Sequence, residues 1–211
     1  MIERAFEIAA VSFAALSGVV EARRKNLDLV GAYVVGLITA FGGGTLRDVL
    51  LERRPLFWVE RSEYTLLVLV LAAAHVYSPA ALRPLRMRAV QAFADGLDAI
   101  ALGLFGGLGA QAALGLGAPP FVAVLFGVMT GAFGGVLRDV VLNEVPMLFR
   151  PTSTLYATPV FAGGLTQVGL IGLGARDSDA LIGGALVTIL IRLAALRWDW
   201  KLPPPRPDPT P

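Results

Sequence analysis

The chain has 211 residues, of which 55% are hydrophobic and 16% charged, whereas a soluble domain carries about 25% charged residues. Its charges cluster between long apolar runs and its 24 glycines suit close helix packing in a bilayer, which argues against an ordinary soluble enzyme. Cysteine is absent, which excludes disulfides and thiolate metal sites, and the net charge of +2 comes from basic residues flanking apolar segments rather than from a nucleic-acid surface.

The N-terminal stretch MIERAFEIAAVSFAALSGVVEARRK has Glu3 and Glu7 ahead of its apolar run and no convincing cleavage site, so it reads as a retained span. Seven transmembrane helices are predicted. The first three run from Phe6 to Ala22, Leu29 to Leu50 and Tyr64 to Leu82. The last four run from Phe93 to Leu116, Pro119 to Leu142, Leu155 to Leu173 and Asp179 to Leu196. The single histidine, His75, falls in an apolar run and reads as buried or interfacial. The tail KLPPPRPDPTP has too much proline for a helix and is expected to be extended. Arg23, Arg24, Lys25, Arg83, Arg86, Arg88, Arg150, Arg197, Lys201 and Arg206 all follow odd-numbered spans and share one side. That more basic side is expected to be cytoplasmic, with the N-terminus outside, the C-terminus inside and Trp198 and Trp200 at the inner interface.

The strongest signal is a repeat. TAFGGGTLRDVLLERRP (Thr39 to Pro55) aligns without a gap on TGAFGGVLRDVVLNEVP (Thr130 to Pro146), 91 residues later. Thr39/Thr130, Gly43/Gly134, Gly44/Gly135, Leu46/Leu137, Arg47/Arg138, Asp48/Asp139, Val49/Val140, Leu51/Leu142 and Pro55/Pro146 are identical, where chance gives on the order of one or two matches. The same offset places Glu7 on Asp98 and Gly18 on Gly109. Each half therefore has three spans, and three is odd, so the second half must enter the membrane inverted. The expected fold class is all-α: a polytopic membrane protein of two inverted three-helix repeats (residues 1–90 and 91–175), a seventh helix (176–198) and a proline-rich tail (199–211). Such repeats with broken middle helices form solute sites near the midplane; duplication for packing alone is the competing explanation.

Four charges inside apolar spans argue for a pathway or a lock, because a charge at the centre of a lipid-facing helix costs roughly 2.5–3.5 kcal/mol. Arg47, Asp48, Arg138 and Asp139 must therefore face inward. Consecutive glycines weaken a helix by about 1 kcal/mol each, so breaks are expected at Gly42, Gly43 and Gly44, and again at Gly134 and Gly135. The carbonyls freed there, with Thr39 and Thr130 a turn earlier, would suit a cation. Neighbours in a helix do not face each other, so pairing is expected across the halves, Arg47 with Asp139 or Arg138 with Asp48. Glu7 and Asp98 fall in the first turns of the first and fourth predicted spans, as helix-stabilising charges or as an electronegative vestibule.

At these residues the chain resembles the trimeric intracellular cation channel family in its prokaryotic branch, long labelled a glycine-transporter or uncharacterised membrane domain family. The resemblance rests on GGGTLRDVLL followed by Pro55 and on GGVLRDVVLNEVP. It also rests on LDLVG (Leu27 to Gly31), on DGLDAIALGLFGGLGA and on LYATPVFAGG (Leu155 to Gly164). It implies a homotrimer in the inner or plasma membrane, each protomer with its own pore between the repeats, conducting monovalent cations, chiefly potassium, among membrane lipids. The family's kinks map onto Gly42 to Gly44 and onto Gly134 and Gly135, with Phe133 standing where the first element has Gly42. No cofactor, metal or nucleic acid is implied. A secondary transporter of a small solute such as glycine and a non-conducting scaffold are the competing readings. Neither a nucleotide-binding loop nor a catalytic constellation is present, which argues against a pump or an enzyme.

Overall fold

The computed structural model describes residues 2–77, 87–150 and 154–203. The predicted end of the third span (78–82), Arg83, Arg86, Arg206 and the proline-rich tail from 204 lie outside the described residues. All regular secondary structure among the described residues is helical: α1 (Ile2–Arg24), α2 (Leu29–Leu50), α3 (Phe57–Glu60), α4 (Glu63–Tyr77), α5 (Met87–Gly115), α6 (Pro120–Val141), a 3-10 turn (Met147–Phe149), α7 (Ala157–Gly172) and α8 (Asp177–Trp198). Among them α1, α2, α5 over Ala89–Gly115, α6 and α8 are long and apolar enough to cross a membrane. The third and sixth predicted spans correspond to the shorter helices α4, with 15 described residues, and α7, with 16.

Local chemistry sets the ends. The Asp28 carboxylate caps α2 by accepting from the Gly31 amide at 2.8 Å. Pro120 opens α6, where a missing amide hydrogen is harmless. Both middle helices end at left-handed residues, Glu52 after α2 and Asn143 after α6.

The core is built around α5, which packs against α1, α6, α7 and α8. Every residue from Ala101 to Ala110 is buried, which is why ALGLFGGLGA is apolar all round rather than on one stripe. Its glycines admit neighbouring backbones. Gly131 of α6 sits against the Leu102 carbonyl, and Gly127 against that of Gly106. The hydroxyls of Thr39 and Thr130 fold back onto Val35 and Phe126, at 2.7 and 2.6 Å.

The glycine runs do not break their helices. Both α2 and α6 continue through them, because a backbone group released inside a membrane has no water to bond and the propensity cost is smaller than that loss. The glycines serve approach instead. A methyl group at Gly43 would overlap the carbonyl of Thr130, and one at Gly134 the carbonyl of Thr39. Gly42 meets Leu137, Gly44 lies under the Phe57 ring and Gly135 beneath the Tyr156 hydroxyl. The pairs 43/130 and 39/134 make the α2–α6 crossing antiparallel. Contacts of Glu3 with Gln111 and of Ser17 with the Ala94 carbonyl make α1 antiparallel to α5.

Gly43→Ala and Gly134→Ala are expected to destabilise the protein by roughly 1–3 kcal/mol through overpacking, read as a lower thermal midpoint in detergent. Gly172→Ala, with open space around it, should leave the midpoint unchanged or raise it.

Candidate functional site

Arg47 and Asp48 stand one turn beyond the crossing and both are buried, at 4% and 1% exposure. Asp48 Oδ1 accepts from Arg47 Nε at 2.8 Å and lies 2.7 Å from Nη2. Its Oδ2 accepts the Phe57 amide at 2.8 Å, tying the loop after α2 back to its helix. Arg47 also lies over the Phe57 ring, 5.4 Å from the centroid, and Arg53 reaches Asp48 at 3.7 Å.

Arg138 and Asp139 repeat the arrangement. Asp139 Oδ1 lies 2.9 Å from both Nε and Nη2 of Arg138, and Oδ2 accepts the Met147 amide at 3.1 Å. Nη1 of Arg138 turns elsewhere, donating to Ser17 Oγ at 3.2 Å and to Asp98 Oδ1 at 3.4 Å.

Pairing is thus between sequence neighbours, and the expected cross-pairs, Arg47 with Asp139 and Arg138 with Asp48, do not form. The crossing explains why. With Thr39 level with Gly134, Arg138 stands level with Val35, which is about 18 Å of helix axis from Arg47. Adjacent positions diverge around a helix, but a guanidinium on a long flexible stem folds back to reach the next carboxylate.

Two cavities open at opposite ends of α1, and they share no lining residue. One, of about 300 Å³, lies between α1, the start of α5 and the end of α6, and Arg138, Asp139, Asp98, Asp95 and Glu21 line it. The other, of about 670 Å³, is lined by Glu3, Glu7, Arg47, Arg53 and Asp177 together with the end of α5. Thr39, Thr130 and the five glycines line neither: Thr39, Thr130, Gly43 and Gly134 are packed in the crossing, and Gly44 and Gly135 lie under Phe57 and Tyr156. Across the first mouth Lys25 pairs with Glu144, which Arg150 also approaches at 3.8 Å. The hydrogen-bonded ammonium of Lys25 holds the Glu144 carboxyl below the ordinary carboxylate range.

Glu7 and Asp98 each face one cavity, but neither is in a first turn: α1 begins at Ile2, which puts Glu7 in its second turn, and α5 begins at Met87, so Asp98 lies three turns inside it and is 8% exposed. Glu7 Oε2 accepts from the Tyr64 hydroxyl at 3.0 Å and lies 3.1 Å from Arg61 Nε. Asp98 Oδ2 has no hydrogen-bond partner among the described residues.

Sequence reasoning missed Arg192, in α8 and fully buried. Its Nη1 donates to the carbonyls of Leu155 and Thr154 at 2.6 and 3.3 Å, and to the Thr154 hydroxyl at 2.8 Å. Nη2 lies 2.8 Å from Met147 Sδ, and the guanidinium sits 4.9 Å from the Tyr156 centroid. It therefore braces the turn whose Met147 amide holds Asp139. A lone arginine within LVTILIRLAAL was the available signal, by the same cost argument that singled out Arg47 and Arg138. The short α3 and the 3-10 turn, which deliver the Phe57 and Met147 amides, were also missed.

The family profile described as "Glycine transporter" matches the chain twice, over residues 4–79 and 96–171. The chain is 37% identical to the UPF0126 inner membrane protein YadS of Escherichia coli K12 over 93% of both chains. It is also 37% identical to a UPF0126 membrane protein of Vibrio cholerae over 90% of this chain and 77% of that one. Among solved structures, the trimeric intracellular cation channel orthologue from Rhodobacter sphaeroides superposes with a TM-score of 0.84 at 34% identity, covering 94% of this chain and 98% of that one.

Asp48→Ala and Asp139→Ala should each cost roughly 3–5 kcal/mol, because a buried guanidinium is left unpaired. In double-mutant cycles followed by unfolding, Arg47 should couple to Asp48, whereas Arg47 with Asp139 should be additive within about 0.5 kcal/mol. Strong coupling of Arg47 to Asp139 would contradict the geometry.

Proposed function

This chain belongs to the prokaryotic branch of the trimeric intracellular cation channel family, and on that premise we propose that it is a channel for monovalent cations, chiefly potassium, with one pore in each protomer of a homotrimer. The observation that carries the reading is the pair of charged cavities at opposite ends of α1. The packed α2–α6 crossing lies between their levels, and an Arg–Asp pair stands at each cavity. In this conformation the pore is closed at the crossing, and conduction requires α2 and α6 to separate where Gly43 and Gly134 meet carbonyls. The Arg–Asp pairs are locks within each half, fixing each loop to its helix and setting the charge at each cavity floor. Glu7 and Asp98 are the vestibule carboxylates.

Several observations support the seven-span, inverted-repeat architecture. They are the antiparallel α1–α5 and α2–α6 contacts, the double profile match and the likeness to the cation channel structures. With the basic side inside, the cavity beside Lys25 is cytoplasmic and the one beside Glu3 is external.

In liposomes, potassium flux should follow the membrane potential without a co-substrate, and planar bilayers should show unitary current steps. Saturable glycine uptake driven by a sodium or proton gradient, with no unitary currents, would replace the channel by a carrier. Crosslinking in native membranes should stop at three subunits.

Topology has its own test. Ser178→Cys and Ala118→Cys should react with an impermeant maleimide from outside intact cells, and Asn26→Cys should not. Labelling of Asn26→Cys ahead of the other two would reverse the orientation.

A further inference from the structure

Two carboxylates occupy matching places at the two cavity floors, and their surroundings differ. Glu7 is satisfied within the protein by the Tyr64 hydroxyl and Arg61. Asp98 is the buried carboxylate, among the described residues, that keeps an oxygen without a hydrogen-bond partner. Its Oδ1 has the 3.4 Å contact with Arg138, the longest that this guanidinium makes. Leaving a buried carboxylate oxygen unmatched is costly, and nothing on α1, α5 or α6 supplies a donor to it.

We propose that Asp98 is the principal ligand of a monovalent-cation site on the floor of the cavity between α1, α5 and α6, and that the opposite cavity has no equivalent at Glu7. The remaining wall suits a partly dehydrated cation. The Gln91 amide donates to Asp95 Oδ1 at 2.9 Å and to Glu21 Oε1 at 3.3 Å, holding both carboxylates on the cavity wall. Asp98 and Asp139 share the single guanidinium of Arg138, which leaves one negative charge uncompensated at the floor and matches a single positive charge. Arg138 is thereby the cation's competitor: an ion that binds Asp98 draws it from its weakest Arg138 contact, while Arg138 stays anchored on Asp139.

The site deepens the channel reading and rests on it for its place in a pathway, but its occupancy is measured without flux. Thermal unfolding of the purified full-length protein would be followed as potassium replaces N-methylglucamine at constant ionic strength. The wild-type midpoint should rise saturably with potassium, and Glu63→Gln, an exposed control, should behave alike. Asp98→Asn should abolish the rise or weaken half-saturation by about tenfold or more. Asp95→Asn should weaken it severalfold, and it reads the same site where Asp98→Asn does not fold. A potassium-independent wild-type midpoint, an unchanged half-saturation in either variant, or the same loss in Glu7→Gln would overturn the proposal. Potassium-dependent stability without flux would retain the site and remove the channel; flux without potassium-dependent stability would do the reverse.

Discussion

The contact between α2 and α6 constrains everything else, because two backbone carbonyls occupy the space that side chains at Gly43 and Gly134 would need. Helices this close cannot slide past one another, since a shift of one turn would set Thr39 or Thr130 where Gly43 or Gly134 meets the partner's backbone. The crossing fixes the register of the two middle helices, and with it the level at which each Arg–Asp pair stands. Because the helices run antiparallel, the two pairs are carried to opposite ends of the bundle. A charge at the centre of an apolar bundle is thereby avoided: each guanidinium sits beside its carboxylate near a cavity and not opposite the other at the midplane.

Each aspartate does two things with its two oxygens. One neutralises the preceding arginine and the other accepts a loop amide, from Phe57 in one half and Met147 in the other. A carboxylate so divided is fully satisfied in a low-dielectric setting where a half-satisfied one would be costly. It also makes the loop part of the helix end, so the aromatic and apolar side chains that follow are placed as rigidly as the helix itself. Phe57 packs on Gly44 and on Arg47, and Tyr156 on Gly135 and Arg192. The glycines after the crossing are therefore explained by the rings that these loops return to the helix.

Much of this was legible in the sequence because membrane burial leaves few choices. Apolar run length placed α2 at its observed bounds and came within two residues of those of α6, α7 and α8, and the repeat singled out four of the charges that turn out to be buried. What failed were inferences that carried rules for water into the membrane. Glycine propensity, measured where a released backbone group can bond to solvent, predicted breaks at Gly42 to Gly44 that do not occur. The rule that helix neighbours do not face each other ignored the reach of an arginine stem, and so misassigned its partner. Asp98 falls in a first turn only if the span starts at Phe93, whereas α5 extends back to Met87 through the polar Gln91. Arg192 has no counterpart in the repeat, so symmetry could not point to it.

The departures from symmetry carry the chemistry. Both halves supply the Gly-Gly-x-x-Arg-Asp frame, but among the described residues the second places a further carboxylate, Asp98, on its arginine, whereas Glu7 in the first is held apart from Arg47 by the Tyr64 hydroxyl and Arg61. The difference is traceable to single positions. Ser17 lies beside Arg138, whereas 91 residues later the chain has Leu108, which offers Arg47 no hydroxyl. Arg61 reaches Glu7 from the segment between α3 and α4, while its counterpart, 91 residues on, is Thr152, which carries no charge. A duplicated frame thus fixes where charge is held, and unduplicated neighbours decide whether that charge is closed off within the protein or left facing a cavity.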